Sequence, residues 1–175
     1  MKIMILSDSH SMTKPTLLNF INQHPADYYI HCGDIYMPYS PLEIDNFYNV
    51  RGNNDFADIP KDLTLTIDGL NFFICHGHLF HIDESMYDLE QYALNHKIDV
   101  VCFGHSHNPT CYKKENTLFI NPGSVTFPRG NYPHPTYCIF DTENHEVQFY
   151  DLKENQPCNP FEVKKKESFF KRFFK

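Results

Sequence analysis

Asp8, His10, Asp34, Asn53, His76, His78, His105 and His107 sit in five polar clusters, each directly after a short apolar run. Carboxylate and amide oxygens mixed with imidazoles suit Mn²⁺, Fe²⁺, Ni²⁺, Co²⁺ or Zn²⁺ better than Ca²⁺ or a structural thiolate zinc. Seven or more donors are too many for one ion. Two ions about 3.5–4 Å apart that share a carboxylate would use them, and that is the geometry of two-metal phosphoester hydrolysis.

The elements that must position these donors follow from pattern. Residues 2–7 form an apolar run ending at Ser7-Asp8, as expected for a buried strand that delivers polar residues to its carboxyl end. Thr13 can cap a helix with Pro15 in its first turn and Leu17, Leu18 and Ile21 on one face, stopped by His24-Pro25. Residues 28–32 and 47–50 read as further strands. Residues 63–67 alternate with period two, Asp68-Gly69 is a hairpin turn, and 70–75 return. Met86, Leu89 and Ala93 recur at helical spacing between Glu84 and His96, ahead of a strand at 100–103. Residues 117–120, 137–141 and 147–152 read as β, and 155–160 as a linker. Ligands of open α/β sheets bind beyond the carboxyl ends of strands, so the five loops can converge. Strand and helix alternate first and strands dominate later, which predicts an α/β sandwich of two mixed sheets with outer helices.

Composition narrows the function class. The chain has 175 residues and a net charge of −7, which disfavours nucleic-acid binding over the whole surface. No apolar run approaches a membrane span, and the N-terminal run is too short for a secretory h-region, so a cytoplasmic location is expected. Six cysteines are far apart without a C-x-x-C pair and are expected as reduced, partly buried thiols. Residues 161–175 carry six bases against two acids, a basic tail on an acidic body.

Asp8-Ser9-His10, Gly33-Asp34, Gly52-Asn53-Asn54-Asp55, His76-Gly77-His78 and Gly104-His105-Ser106-His107 resemble, in order, the five blocks of the calcineurin-like metallophosphoesterase superfamily. The short chain without a cap domain, together with Asn121-Pro122-Gly123-Ser124 and Pro128-Arg129, resembles the small YfcE-like bacterial and archaeal phosphodiesterases. The resemblance implies a four-layer αββα sandwich over residues 1–154, followed by a linker and a Phe-rich basic tail over 155–175. It implies Asp8, His10 and His107 on one metal, Asn53, His76 and His105 on the other, and Asp34 bridging them. It further implies metal-dependent phosphodiester hydrolysis by a metal-bridging hydroxide, with two divalent ions per chain, Mn²⁺ or Ni²⁺ foremost and Fe²⁺, Co²⁺ or Zn²⁺ also compatible. Two such ions against two aspartates leave the pocket at about +2, attractive to phosphate in an acidic protein.

Other residues carry weaker signals. His78 either meets substrate or a water near the metals, or holds its loop. Arg129 either binds a phosphate oxygen or is solvated. Larger phosphatases of the superfamily commonly have His where this chain has Asn54, which has no acidic proton to give. The general acid is thus unassigned, and Asp55 is expected to orient a neighbour. His24, His31, His81, His96, His134 and His145 are read as structural. Phe169, Phe170, Phe173 and Phe174 would share one face of a helix, for docking on the same domain, on a second subunit in a homo-oligomer, or on a membrane surface. The alternative functions are a non-catalytic scaffold of this fold, as in the retromer subunit, and a phosphomonoesterase or nucleotide phosphatase acting on a small substrate.

Overall fold

The computed structural model describes residues 1–35 and 44–162. In chain order the elements are β1 (Lys2–Leu6), α1 (Lys14–Gln23), β2 (Tyr28–His31), β3 (Phe47–Asn49), β4 (Asp62–Ile67), β5 (Leu70–Cys75), α2 (Tyr87–Asn95), β6 (Val100–Cys102), β7 (Thr110–Lys114), β8 (Thr117–Asn121), β9 (Thr136–Asp141), β10 (Glu146–Asp151) and β11 (Gln156–Cys158). They form a six-stranded sheet in the order β11-β10-β9-β1-β2-β3 and a five-stranded sheet in the order β4-β5-β6-β8-β7.

The period-two alternation of side chains along a strand explains the layers. Ile3 and Ile5 of β1 pack between the sheets with Phe72 and Ile74 of β5. Met4 and Leu6, pointing the other way, meet Leu17 and Ile21 of α1. Phe73 and Cys75 likewise point outward, to Leu89 and Ala93 of α2. Strands buried on both faces read as unbroken apolar runs. The result is the αββα sandwich, with one helix, two sheets and one helix stacked in that order.

Thr13 caps α1 by accepting the Thr16 backbone N–H over 3.4 Å, with Pro15 in the first turn. The second helix begins later than the spacing predicts. The Glu84 and Ser85 N–H groups close a turn on His81 O and Ser85 Oγ accepts the Tyr87 N–H over 3.0 Å, so α2 starts only at Tyr87, after a 3-10 turn at His78–Phe80.

Two short edge strands escaped the pattern. In β7, Lys113 and Lys114 face solvent, and charge on an edge hides the strand signal while protecting the edge. Residues Gln156–Cys158, expected as linker, pair with β10, and Pro157 is tolerated because β11 is an edge. Phe161 packs on Phe149 with ring centroids 5.3 Å apart. The aromatic face expected at Phe169–Phe174 lies outside the described residues. All six cysteines are free thiols, with Cys32, Cys75, Cys102 and Cys138 buried. No helix among the described residues is long and apolar enough to cross a membrane.

Candidate metal centre

β1, β2 and β3 run parallel in one sheet, and β5, β6 and β8 run parallel in the other. Their carboxyl-terminal loops are laced together by backbone hydrogen bonds. Asp8 N–H donates to Gly33 O over 3.0 Å, His10 N–H to Asp34 O over 3.1 Å, and Gly104 N–H to His76 O over 3.1 Å. The last of these runs between two strands of one sheet, and the first two join β1 to β2.

The loops turn sharply enough to need unusual backbone. Asp8, His10, Asp34, His105 and His107 have φ of +54°, +27°, +55°, +66° and +58°. Non-glycine residues at positive φ are uncommon, and such strain persists only where the surroundings hold it. Close approach adds a demand on glycine. A Cβ on Gly104 would lie 1.9 Å from Ser7 Oγ and 2.9 Å from Asp8 Oδ2, and one on Gly52 would lie 2.0 Å from Asp34 Oδ1.

Two donor groups result, Asp8 with His10 and His107, and Asp8 with Asp34 and His76. Asp8 Oδ1 lies 3.1 Å from His107 Nε2, 3.8 Å from His10 Nε2 and 3.9 Å from His76 Nε2. Asp34 Oδ2 lies 3.4 Å from His76 Nε2 and 3.6 Å from His10 Nε2. Asn53 Oδ1 is 3.2 Å from His76 Nε2, and His10 Nε2 is 3.3 Å from His107 Nε2.

The chemistry of these atoms fits divalent cations. His76 Nδ1 donates to Cys32 O over 2.7 Å and His107 Nδ1 donates to Phe127 O over 2.7 Å. In the neutral rings the proton is then on Nδ1, and Nε2 presents a lone pair. His76 Nε2 therefore faces the lone pairs of Asn53 Oδ1 and Asp34 Oδ2, an arrangement that only a proton or a metal ion relieves. Asp8 Oδ1 is buried with no donor in hydrogen-bonding alignment.

Electrostatics agree with the geometry. Burial alone would raise the Asp8 carboxyl, but the His107 imidazole, the His76 charge and Ser7 Oγ hold it below the ordinary range. Burial likewise opposes ionisation of Asp34, and His76 and Asn54 overcome it, leaving that carboxyl well below normal. Burial disfavours imidazolium at His76 and His107, yet Asp34 and Asp8 raise the two rings above the usual range. Two ionised carboxylates are thus maintained at nearly full burial, in want of positive charge.

The remaining site candidates are placed as follows. His105 is beside the groups without joining them: its ring centroid is 5.2 Å from that of His76, and its Nε2 lies 2.8 Å from Asp83 Oδ2. His78 is half-buried 5.3 Å from the His76 ring, its Nδ1 buried and unpaired. Burial, then the His76 and His105 charges, lower its pKa. Asn54 hydrogen-bonds to Asp34. Asp55 Oδ2 accepts the backbone N–H groups of Asp34 and Gly52, each over 2.8 Å, which fastens the second loop to the third. Arg129 is exposed, its N–H bound to His107 O over 3.0 Å, and its charge reaches the His107 ring.

Several contributors were missed by sequence reasoning. Ser7 Oγ donates to Asp8 Oδ2 over 2.6 Å and the Thr126 hydroxyl donates to Asp8 O over 2.8 Å, whereas Ser124, in the 121–124 block that the resemblance puts near the site, donates to the same oxygen over 2.8 Å. His31, read as structural, is fully buried behind the loops. Its Nδ1 accepts Gly33 N–H over 3.3 Å and its Nε2 donates to Ser9 Oγ over 3.0 Å. His24 and His96 are structural caps on Phe20 O and Tyr92 O, each at 2.8 Å.

Residues 1–145 match the family model described as the calcineurin-like phosphoesterase superfamily domain. The chain is 35% identical over 161 residues to the probable metallophosphoesterase YsnB of Bacillus subtilis (strain 168), covering 89% of this chain and 94% of that protein. It is 31% identical over 171 residues to a phosphodiesterase of Methanocaldococcus jannaschii, covering 85% and 97% respectively. A solved structure from Streptococcus pneumoniae TIGR4, described as a predicted phosphoesterase, superposes with a TM-score of 0.82 at 27% identity, over 90% of this chain and 92% of that one.

Proposed function

The chain belongs to the calcineurin-like phosphoesterase superfamily, and from that premise we propose that it hydrolyses phosphodiesters with two divalent ions held by Asp8, His10, Asp34, Asn53, His76, His105 and His107. Its class, a metal-dependent phosphodiesterase, goes with the family and with its phosphodiesterase relative. The two-ion site and the preference for diesters are our reading. The observation that carries it is the facing of lone pairs: His76 Nε2 lies 3.2 Å from Asn53 Oδ1 and 3.4 Å from Asp34 Oδ2, with the Nδ1 proton held by Cys32 O.

Divalent ions bound there would lower the pKa of water toward about 7 and offer positive charge to phosphate oxygens. The protein's own part is positioning. Asp34 Oδ2 sits nearly midway between the His10 and His76 rings, which supports its role as the shared carboxylate. Ser7, Ser124 and Thr126 hold Asp8, while Asn54 and Asp55 hold Asp34, so the ligands do not reorganise when charge moves. Arg129, exposed and with its charge felt at His107, would meet a phosphate oxygen. His78, whose Nδ1 is buried, would meet substrate or water through Nε2. With Asn54 engaged on Asp34, departure of the alcohol relies on its own stability, which favours diesters with good leaving groups.

Elemental analysis beside a diesterase assay tests the proposal. About two Mn²⁺ or Ni²⁺ per chain with hydrolysis of an aryl phosphodiester is the result expected. A protein that takes up neither ion and stays inert in their presence would turn the reading toward a scaffold.

A further inference from the structure

We propose that Phe127 selects the ester group of the substrate. Its ring presents a flat apolar face beside His10 and His107, and an aromatic ring carried on one ester arm of the phosphodiester stacks there. The inference deepens the phosphodiesterase reading above and rests on it.

The ring of Phe127 stands against a donor. Its centroid is 5.5 Å from that of His10 at a tilt of 52°, and the His10 and His107 rings are 5.1 Å apart. Phe127 therefore flanks the cluster on the side where those two histidines would share an ion. It is nevertheless 52% exposed, so much of the ring is open to a ligand. An exposed apolar side chain is ordinary on a protein surface. Contact with a donor ring and a rigid mounting set this one apart.

The mounting is the loop between β8 and β9. Phe127 N–H donates to Ser124 Oγ over 2.8 Å, and Phe127 O accepts His107 Nδ1–H over 2.7 Å. Two residues on, Arg129 N–H donates to His107 O over 3.0 Å. Gly130 lies so close to the next residue of that segment that a Cβ would fall 2.0 Å from Asn108 Oδ1. The base of the loop is closed by Thr136 N–H on Ser124 O over 3.0 Å. The backbone is thus fixed on both sides of Phe127, and a surface ordered in advance loses little freedom when a ligand arrives.

The chemistry of the flank decides which arm it accepts. Phosphate charge goes to the ions and to the cationic Arg129, leaving the ester arm to meet the phenyl ring. A polyol arm would lose water from its hydroxyls against a ring that offers them no hydrogen bond. An aliphatic arm would gain contact area alone, whereas an aromatic arm gains the ring–ring attraction as well.

The test is calorimetric titration of Mn²⁺-loaded protein with phenylphosphonate and methylphosphonate, which have no ester bond to hydrolyse. In the parent the phenyl compound should bind about 10-fold more tightly. Phe127→Ala should bring that ratio to about one, Phe127→Leu should lie between, and Phe127→Tyr should keep the parent ratio. A ratio within one variant is unaffected by any general loss of anion or metal binding. With bis(4-nitrophenyl) phosphate, Phe127→Ala should raise KM about 10-fold and move kcat less, because the stack is made in ground and transition states alike. Equal affinities for the two phosphonates in the parent, a preference that survives in Phe127→Ala, or a fall in kcat at unmoved KM would each overturn the inference. A parent that binds Mn²⁺ but neither phosphonate, and cleaves no diester, overturns the phosphodiesterase reading and the inference with it. Should Phe127→Ala not fold, the contrast between Phe127→Leu and Phe127→Tyr still decides.

Discussion

Asn54 grips both oxygens of Asp34: its Nδ2 donates to Oδ2 over 2.6 Å and its backbone N–H to Oδ1 over 2.8 Å. The position that in larger relatives of the resemblance carries a histidine is here engaged in holding the central carboxylate. Asn54→Ala keeps the backbone bond and removes the other. It should weaken metal binding about tenfold and leave the ratio of aryl to alkyl ester turnover unmoved. A changed ratio at unchanged metal content would place Asn54 at the leaving group instead.

Gly104→Ala tests the close approach of two loops. The new Cβ would lie 1.9 Å from Ser7 Oγ and 2.9 Å from Asp8 Oδ2, so the serine must leave the carboxylate it supports. Overpacking of this sort costs about 1–3 kcal/mol, and metal affinity should fall with it. Gly69→Ala is the control: φ is +80° but nothing lies within 4 Å of its Cβ. It should lose about 1 kcal/mol from backbone strain with metal binding intact. Urea unfolding and a Mn²⁺ titration on both variants check the pair.

The donors on five loops were legible because Asp, Asn and His at strand ends are chemically specific and the strands that carry them are plain apolar runs. Their supports were not. Ser7 and Thr126 are residue types common in any loop, and only the packing of β1 against the loop after β8 makes donors of them. Positive φ at Asp8 and His107 leaves only a weak mark in residue type, since Asp and His are enriched there yet usually adopt other conformations. The helical spacing between Glu84 and His96 gives no sign that the helix itself starts only at Tyr87.

His31 gives a pH dependence with a definite sign. Burial, opposed only in part by Asp55 and Asp8, lowers its pKa to about 4, against about 6.5 in an unfolded chain. Between those values the unfolded state binds the proton and the folded state does not, so stability falls as the medium is acidified. From pH 7 to pH 5 the loss from this residue is about 2 kcal/mol. His76 and His107 act in the opposite sense, since their raised pKa values stabilise the metal-free fold on acidification. The informative quantity is therefore the difference between parent and His31→Gln, which can still donate to Ser9. In metal-free protein the parent should lose about 2 kcal/mol more than the variant over that interval. Equal pH dependence in urea unfolding would show that His31 is protonated in the folded protein.

Asp34 and Asp8 are both buried carboxylates facing both sets of imidazoles, but not equally. Asp34 Oδ2 is balanced, 3.4 Å from His76 and 3.6 Å from His10. Asp8 Oδ1 leans to one side, 3.1 Å from His107 against 3.9 Å from His76. An oxygen placed evenly between two sets serves both ions, and one displaced toward a single set serves mainly that ion. Asp34→Asn should then weaken both ions and abolish diester hydrolysis. Asp8→Asn should weaken chiefly the ion at His10 and His107, leaving close to one ion per chain. Elemental analysis after dialysis against submicromolar Mn²⁺ distinguishes the two. Should Asp8→Asn lose both ions while Asp34→Asn keeps one, the roles of the carboxylates are exchanged, and Asp8, the member common to both donor groups, is the bridge.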